Sequence, residues 1–373
     1  MNKIVLVTNY PLDNQQSMQR YASALQLGLS SRRLQVIKTF PKPVLGKINY
    51  TKEGIYKWLG YIDKYLIFIS KLHDVRADLI HICDHGNAMY VPHLQDKNHL
   101  ITCHDVLAIR SALGQIPQNP TSWTGKQYQD LILKGLNRAK HVVCVSHKTR
   151  EELLAISTLK TEQTSVIHNS LNYPFRQLSL EEAAQRLSSR NEILKNPFVL
   201  HVGDNKWYKN RSGVLRIFAR YRCLYPESDL NLLLAGRPLS KELEHLKNKL
   251  NLSSRIIQWI NPNTEQLEAL YSTAQALLFP SLNEGFGWPV IEAQACGCPV
   301  ICSSNEPLPE VAGDGALTAP AEEEEELAQL LAQAIQSSSK RSGLIKKGLA
   351  NVERFNPEKI IDAYIQLYTN LVC

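Results

Sequence analysis

The sequence contains no apolar stretch long enough to cross a bilayer, so a membrane-spanning helix is not expected. Asn2-Lys3 leads into only four apolar residues, Ile4 to Val7, before Thr8 and Asn9, which does not resemble a signal peptide. The eight cysteines are scattered; Cys296 and Cys298 stand too close for a zinc knuckle, and no second pair has metal-site spacing. They are expected to be reduced, mostly buried thiols of a cytoplasmic protein. No Gly-x-Gly-x-x-Gly follows the first strand-like run, which argues against a nicotinamide dinucleotide. No recognised nucleic-acid motif accompanies the basic residues, so nucleic acid is not expected as a partner.

What is present is an ordinary soluble composition, 44% hydrophobic and 21% charged. A length of 373 residues suggests two domains at the usual size of about 100 to 200 residues each. The net charge of +7 hides an asymmetry: residues 1–180 hold 22 Lys+Arg against 12 Asp+Glu, a surplus of +10 that leaves −3 for the rest. Such a basic half could meet nucleic acid, an anionic membrane surface or a phosphorylated acceptor, and charge alone does not choose.

Apolar runs bounded by turn residues predict strands at Lys3 to Thr8, Gln35 to Phe40, Leu79 to Asp84, Leu100 to His104, His141 to Ser146 and Ser165 to His168. After a polar segment, Ser179 to Asn196, a second series follows: Phe198 to Gly203, Leu230 to Gly236, Arg255 to Ile260, Ala276 to Pro280 and Pro299 to Ser303. Strands alternating with helical or loop stretches predict α/β architecture, two doubly wound parallel-sheet domains facing across a cleft. The predicted boundaries are 1–178, 179–356 and a last segment, 357–373, with the hinge near 175–197. The glutamate run at 322–326 is expected to begin a solvated helix.

The most informative stretch is residues 276–301, ALLFPSLNEGFGWPVIEAQACGCPVI, which reads as strand, glycine-rich loop, short helix and strand. Gly285 and Gly287 allow close backbone approach to a ligand, and the N–H groups at a helix start favour an anion such as a diphosphate. Glu284 and Glu292 flank that cradle. Carboxylates repel phosphate, so they suit hydrogen bonds from sugar and ribose hydroxyls. The plain alternative is a solvated Glu284 and a Glu292 that only answers the helix dipole.

The stretch resembles the E-x7-E signature of the retaining glycosyltransferases of family 4, which have the GT-B fold, and the match continues through Ala293, Gly297, Pro299 and Val300. The resemblance implies a nucleotide-diphosphate sugar as donor, with Glu284 on the donor sugar, Glu292 on the ribose, and Gly285, Phe286 and Gly287 beside the diphosphate. His201 to Asn210, HVGDNKWYKN, resembles the family segment V-G-x(n)-R-K-N. In a family that generally uses no metal, Lys209 would offset charge on the departing diphosphate, and the chain has no Asp-x-Asp pair. Tyr208 stands where the family commonly has Arg, and Asp204 where some members have one; Lys206 is expected to replace the lost charge, near Gly203. Thr102-Cys103-His104-Asp105 resembles the family's T-x-H-D, which puts His104 near the transferred sugar. The plain reading is a structural His104 and a helix-capping Asp105.

The resemblance is dense over 198–320 and thin before 140. The loop Asn9 to Ser17 lacks the Gly-Gly common in the family; Asn14 and Gln16 offer amides to the donor instead. Asn169-Ser170 and Pro309 to Gly313 match structural landmarks, and the last helix, Pro357 to Leu371, is expected by resemblance on the N-terminal domain. Residues 51–72 place Ile55, Leu59, Ile62, Leu66 and Ile69 on one side of a helix that also carries Lys57, Lys64 and Lys71. Such a helix suits an anionic bilayer at the inner face of the membrane; the plainer reading, a helix packed on its own sheet with snorkelling lysines, is preferred. The expectation is a retaining, metal-independent hexosyltransferase, mannose or glucose type, using a UDP- or GDP-sugar and a glycan or lipid-linked glycan acceptor. Alternatives are a GT-B sugar-nucleotide epimerase and a catalytically silent nucleotide-sugar-binding protein.

Overall fold

The structure of the chain, a computed structural model, describes residues 1–13, 15–45 and 55–372, and their side chains except those of Gln16, Ile55 to Trp58 and Asn191. The chain divides into two compact units, residues 1–172 together with 357–373, and residues 173–356.

The first unit is built on a six-stranded parallel sheet: β1 (Lys3–Val7), β2 (Gln35–Thr39), β3 (Leu79–Ile82), β4 (His99–Cys103), β5 (Val142–Cys144) and β6 (Thr164–Val166), in the order β2-β1-β3-β4-β5-β6. Every residue of β3 and β4 is buried, as expected of parallel strands covered on both faces. Ile80, Ile82, Ile101 and Val142 form its core with Leu136 and Leu153 from the helices. The helix Pro357–Val372 belongs to this unit. Its Tyr364 hydroxyl lies 2.6 Å from that of Tyr21, and its Tyr368 hydroxyl 2.6 Å from His81 Nδ1. His81 Nε2 continues the chain to Thr102 Oγ1 at 2.7 Å, and Thr102 Oγ1 to the Tyr21 hydroxyl at 2.9 Å.

The second unit repeats the plan with β7 (Phe198–Gly203), β8 (Asn231–Gly236), β9 (Ile256–Ile260), β10 (Ala276–Phe279), β11 (Val300–Ser303) and β12 (Ala316–Ala319), all parallel, in the order β12-β11-β10-β7-β8-β9. Val199, Leu232, Leu234, Leu278 and Ile301 form its core against Phe218 and Leu331. β12 was not among the predicted strands: Ala-Leu-Thr-Ala is too short and too weakly apolar to stand out, and its pairing with β11 makes it a strand.

Two segments differ from the sequence expectation for identifiable reasons. The polar stretch from Ser179 holds a helix, Leu180–Arg186, started by a capping box: Ser179 Oγ accepts from the Glu182 amide at 3.2 Å, and the Glu182 carboxylate from the Ser179 amide at 3.0 Å. In the predicted amphipathic helix, residues 51–54 lie outside the described residues. Beyond them, the helices Ile55–Ile62 and Phe68–His73 are joined by a π-helical turn, Asp63–Ile67. That turn shifts the facing register, so Ile62 and Leu66 are exposed while Asp63, Phe68 and Leu72 are buried. Asp63 earns its burial by accepting from the Tyr10 hydroxyl at 2.9 Å and the Val44 and Leu45 amides at 3.2 and 3.0 Å. Lys64 pairs with Asp13 at 2.6 Å.

Candidate functional site

In the second sheet the chain leaves β7 for β8 and β9 on one side, then returns to β10, β11 and β12 on the other. The carboxyl ends of β7 and β10 are therefore the point where strand order reverses, and open parallel sheets leave a ligand crevice at such a point. The two loops there are hydrogen-bonded to each other. The Leu282 amide donates to the Tyr208 carbonyl at 2.7 Å, and the Asn210 side-chain amide to the Pro280 carbonyl at 3.0 Å. Asn210 has φ of 53°, a left-handed conformation that asparagine tolerates, and its side-chain oxygen accepts from the Gly213 amide at 3.1 Å to cap the helix Arg211–Leu224.

This scaffold brings Lys209 to Glu284. The ammonium lies 2.6 Å from Glu284 Oε1, with the two side chains only 17% and 10% exposed. Lys209 Nζ also lies 5.1 Å from the Phe279 ring centre and 5.6 Å from that of Tyr208, close enough for cation–π attraction. Lys206 does not pair with Glu284: it is exposed, 3.9 Å from Asp204 Oδ2 and 5.8 Å from the Tyr208 ring centre.

The helix Trp288–Ala295 starts at Gly287, whose φ of +102° strains any side chain; a Cβ there would also lie 2.6 Å from Leu308 Cδ2, so that methyl would have to shift. Gly285 lies in the bend just before it. Phe286 is buried with its ring 6.0 Å from that of Trp288 and 5.6 Å from that of Phe355, so its side chain serves the core and only its backbone can face a ligand. Glu292, one turn into the helix and buried, accepts a hydrogen bond from the Tyr271 hydroxyl at 2.9 Å.

Sequence reasoning missed Arg211. Its buried guanidinium donates to the carbonyls of Gly203 at 2.8 Å and Arg237 at 2.7 Å, and to Asn205 Oδ1 at 2.7 Å, joining the loops after β7 and β8. Burial lowers it to about 10, against the pull of Asp204, so it stays cationic at neutral pH. Glu268 was missed as well: buried, it accepts from the Arg176 amide at 2.8 Å and pairs with Arg186. Neither has a local sequence signal: beyond Gly203 and Asn205, the partners of Arg211 and Glu268 lie 26 to 92 positions away.

In the first unit, the strand order reverses between β1 and β3. Asn9, after β1, donates its amide to Asp84, after β3, and to Gln15. Burial raises the Asp84 carboxyl, but His85, His104 and the bonds from Gly86 and Asn9 outweigh it, and the net shift is downward. His104 follows β4, buried, with its ring edge-on to Tyr21 at 4.8 Å between centres. His104 Nε2 lies 2.9 Å from the Cys83 carbonyl oxygen, which can only accept, so that nitrogen carries the proton. Nδ1 is then a bare acceptor, and it has no partner among the described residues. Burial lowers the His104 pKa and keeps the ring neutral. Asp105 Oδ1 accepts from the Leu107 amide at 3.0 Å, at the start of a helix. Asn14 lies outside the described residues, as does the side chain of Gln16. Among the described residues no group of three or more His, Cys, Asp or Glu side chains is placed to hold a metal ion.

Comparison with known proteins adds family membership to this geometry. Residues 185–351 match the family described as Glycosyl transferases group 1, and residues 31–173 the family described as Glycosyltransferase Family 4. The chain is 26% identical over 291 residues to O-antigen chain mannosyltransferase B of Escherichia coli, a match covering 76% of this chain and 73% of that protein. It is 29% identical over 223 residues to O-antigen chain mannosyltransferase RfbU of Salmonella typhimurium, covering 59% and 56%. Anabaena HepE, solved in complex with UDP-glucose, superposes with a TM-score of 0.77 at 15% identity, covering 99% of this chain and 100% of that one. Two family matches that between them take in most of both sheets, on a pair of doubly wound parallel units, show that the chain is a glycosyltransferase with the GT-B fold and belongs to the group 1, family 4 glycosyltransferases.

Proposed function

We propose that the chain is a retaining, metal-independent hexosyltransferase that moves a mannose- or glucose-type sugar from UDP or GDP to a hydroxyl of a glycan or lipid-linked glycan. The observation that carries this reading is the Lys209–Glu284 pair at the strand-order reversal, beside a helix that starts at Gly287 and carries Glu292. The two relatives bearing O-antigen mannosyltransferase names and the UDP-glucose complex of the Anabaena protein support the donor and acceptor classes.

In this reading the helix start and the backbone of Gly285 to Gly287 receive the diphosphate, and Glu292 holds the ribose. Glu284 holds hydroxyls of the donor sugar. Lys209, kept in place by Glu284 before the donor arrives, offsets the charge that grows on the leaving diphosphate. The acceptor oxygen attacks the anomeric carbon on the face the diphosphate leaves, its proton passes to a leaving-group oxygen, and the nucleoside diphosphate departs. His104, a neutral ring with a bare Nδ1, accepts a hydrogen bond from a sugar hydroxyl. An acceptor held at an anionic membrane face fits the exposed Ile62, Leu66 and Lys71.

Calorimetric titration with UDP, GDP and their glucose and mannose conjugates, with and without EDTA, tests the donor. EDTA-insensitive binding of one nucleotide family is expected; no binding to any would sink the donor reading, and binding or turnover lost in EDTA would sink metal independence. The anomeric configuration of the product, read by NMR, decides retention, and co-sedimentation with phosphatidylglycerol vesicles decides the membrane contact.

A further inference from the structure

Glu292 is one of the few buried acidic side chains in the second unit, and the structure supplies it with a dedicated donor from another helix. Tyr271, near the end of the helix Thr264–Thr273, is fully buried, and its hydroxyl lies 2.9 Å from Glu292 Oε2. The last torsion of a glutamate is broad, so a carboxylate on its own does not hold one plane. A charge-assisted hydrogen bond to one oxygen fixes that plane. The tyrosine is itself held: the Phe175 ring stands edge-on to it at 6.1 Å between centres, and Phe175 is buried too. Burial, and then the charge of Glu292, push the phenol well above its ordinary value, so it remains a proton donor at any physiological pH.

We infer that Tyr271 is a positioning residue for nucleotide recognition: its hydroxyl orients the Glu292 carboxylate, and through it the site tells a ribose from a deoxyribose. This inference rests on the proposed ribose role of Glu292. Two neighbouring hydroxyls on a ring are read well by a carboxylate only when its plane matches theirs, and the lock on Oε2 supplies that match without Tyr271 touching the ligand. The Tyr271 hydroxyl therefore matters for ribose-bearing ligands and is indifferent to ligands that lack those hydroxyls.

The test measures dissociation constants of UDP and GDP and of their 2′,3′-dideoxy forms for the full chain, for Glu292→Gln, for Tyr271→Phe and for the double variant, with thermal melts run alongside. Tyr271→Phe is expected to weaken the ribonucleotide about five- to tenfold, less than the full worth of a hydrogen bond to a charged group because the tyrosine acts only through Glu292, while leaving the dideoxy form unchanged. Glu292→Gln is expected to lose most of the discrimination, and adding Tyr271→Phe to it to change little more. Discrimination intact in Glu292→Gln would overturn the ribose reading itself. Discrimination lost in Glu292→Gln but kept in Tyr271→Phe would overturn the role of Tyr271 alone. An equal loss for both ligand forms in Tyr271→Phe would make the tyrosine merely structural. If the Phe variant does not fold, Tyr271→Met fills the same slot without a donor and is read in the same way.

Discussion

Lys209 and Glu284, 75 positions apart in the chain, meet as an ion pair with 2.6 Å between Nζ and Oε1. Removing either partner leaves the other charge uncompensated in a mostly dry setting, so Lys209→Ala is expected to cost about 3 kcal/mol of stability as well as activity. The double variant Lys209→Ala, Glu284→Ala recovers part of that stability, because no lone charge remains, yet turnover stays at least about a hundredfold down. Urea unfolding and the initial rate of donor consumption check both halves. Full activity in the single variant would remove Lys209 from the chemistry.

Acid should weaken the fold through two histidines. Burial lowers His81 and His201 to about 3, with His104 adding to the shift of His81, and Arg211 and Lys209 to that of His201. Both are neutral in the folded chain, whereas the unfolded chain protonates them near pH 6.5. The unfolded state therefore binds more protons below that value, and stability falls as pH drops from about 6.5 toward 3, by up to about 1.4 kcal/mol per pH unit for each ring. His81→Gln should flatten the dependence by about one proton; an unchanged slope between pH 6 and 4.5 in urea titrations would show that His81 is not protonated on unfolding.

Arg211→Lys should not substitute for arginine. Three acceptors on two loops are met by one planar fork, and an ammonium has neither its shape nor its reach. A loss of about 3 kcal/mol or more is expected for Arg211→Ala, leaving the Gly203 and Arg237 carbonyls without their donor. Equilibrium denaturation measures it, and a change under about 0.5 kcal/mol, the range of ordinary surface substitutions, would contradict the geometry.

Gly287→Ala meets two obstacles, a backbone angle unfavourable to side chains and the Leu308 methyl. The expected cost is about 1–3 kcal/mol, with weaker nucleotide binding because the helix start shifts. Leu308→Ala added to it should not rescue the fold, because Leu308 is itself buried and its truncation costs about 2–5 kcal/mol, so the double variant is expected to melt below Gly287→Ala.

Most strands could be placed from sequence, since buried parallel strands are apolar runs between turn residues, as at Leu277–Phe279 or Leu232–Ala235. β12 escaped because its identity lies in its partner and not in its own four residues. The E-x7-E spacing located Glu284 and Glu292 on their loop and helix, but spacing could not show that Glu284 faces Lys209. That contact depends on β7 lying next to β10, and strand order is a tertiary property. The same holds for Tyr271 beside Glu292 and for Arg211 reaching the Arg237 carbonyl after β8. The π-helical turn at Asp63–Ile67 was illegible for a related reason: Asp63 draws the helix inward toward Tyr10, Val44 and Leu45, against the register its apolar residues alone would choose.

The hydrogen-bonded chain through Tyr368, His81, Thr102, Tyr21 and Tyr364 has a consequence for how the protein is made. The second unit is one contiguous stretch, residues 173–356, whereas the first needs residues 357–373 to complete it. On a ribosome the residues of the first unit emerge earlier, but His81 and Tyr21 lack the hydroxyls of Tyr368 and Tyr364 until the last helix follows, whereas the second unit needs no residue beyond Asn356. The order of emergence and the order of completion are therefore opposite. A chain stopped between Asn356 and Tyr364 carries every residue of the later unit joined to an earlier one that still lacks both tyrosines.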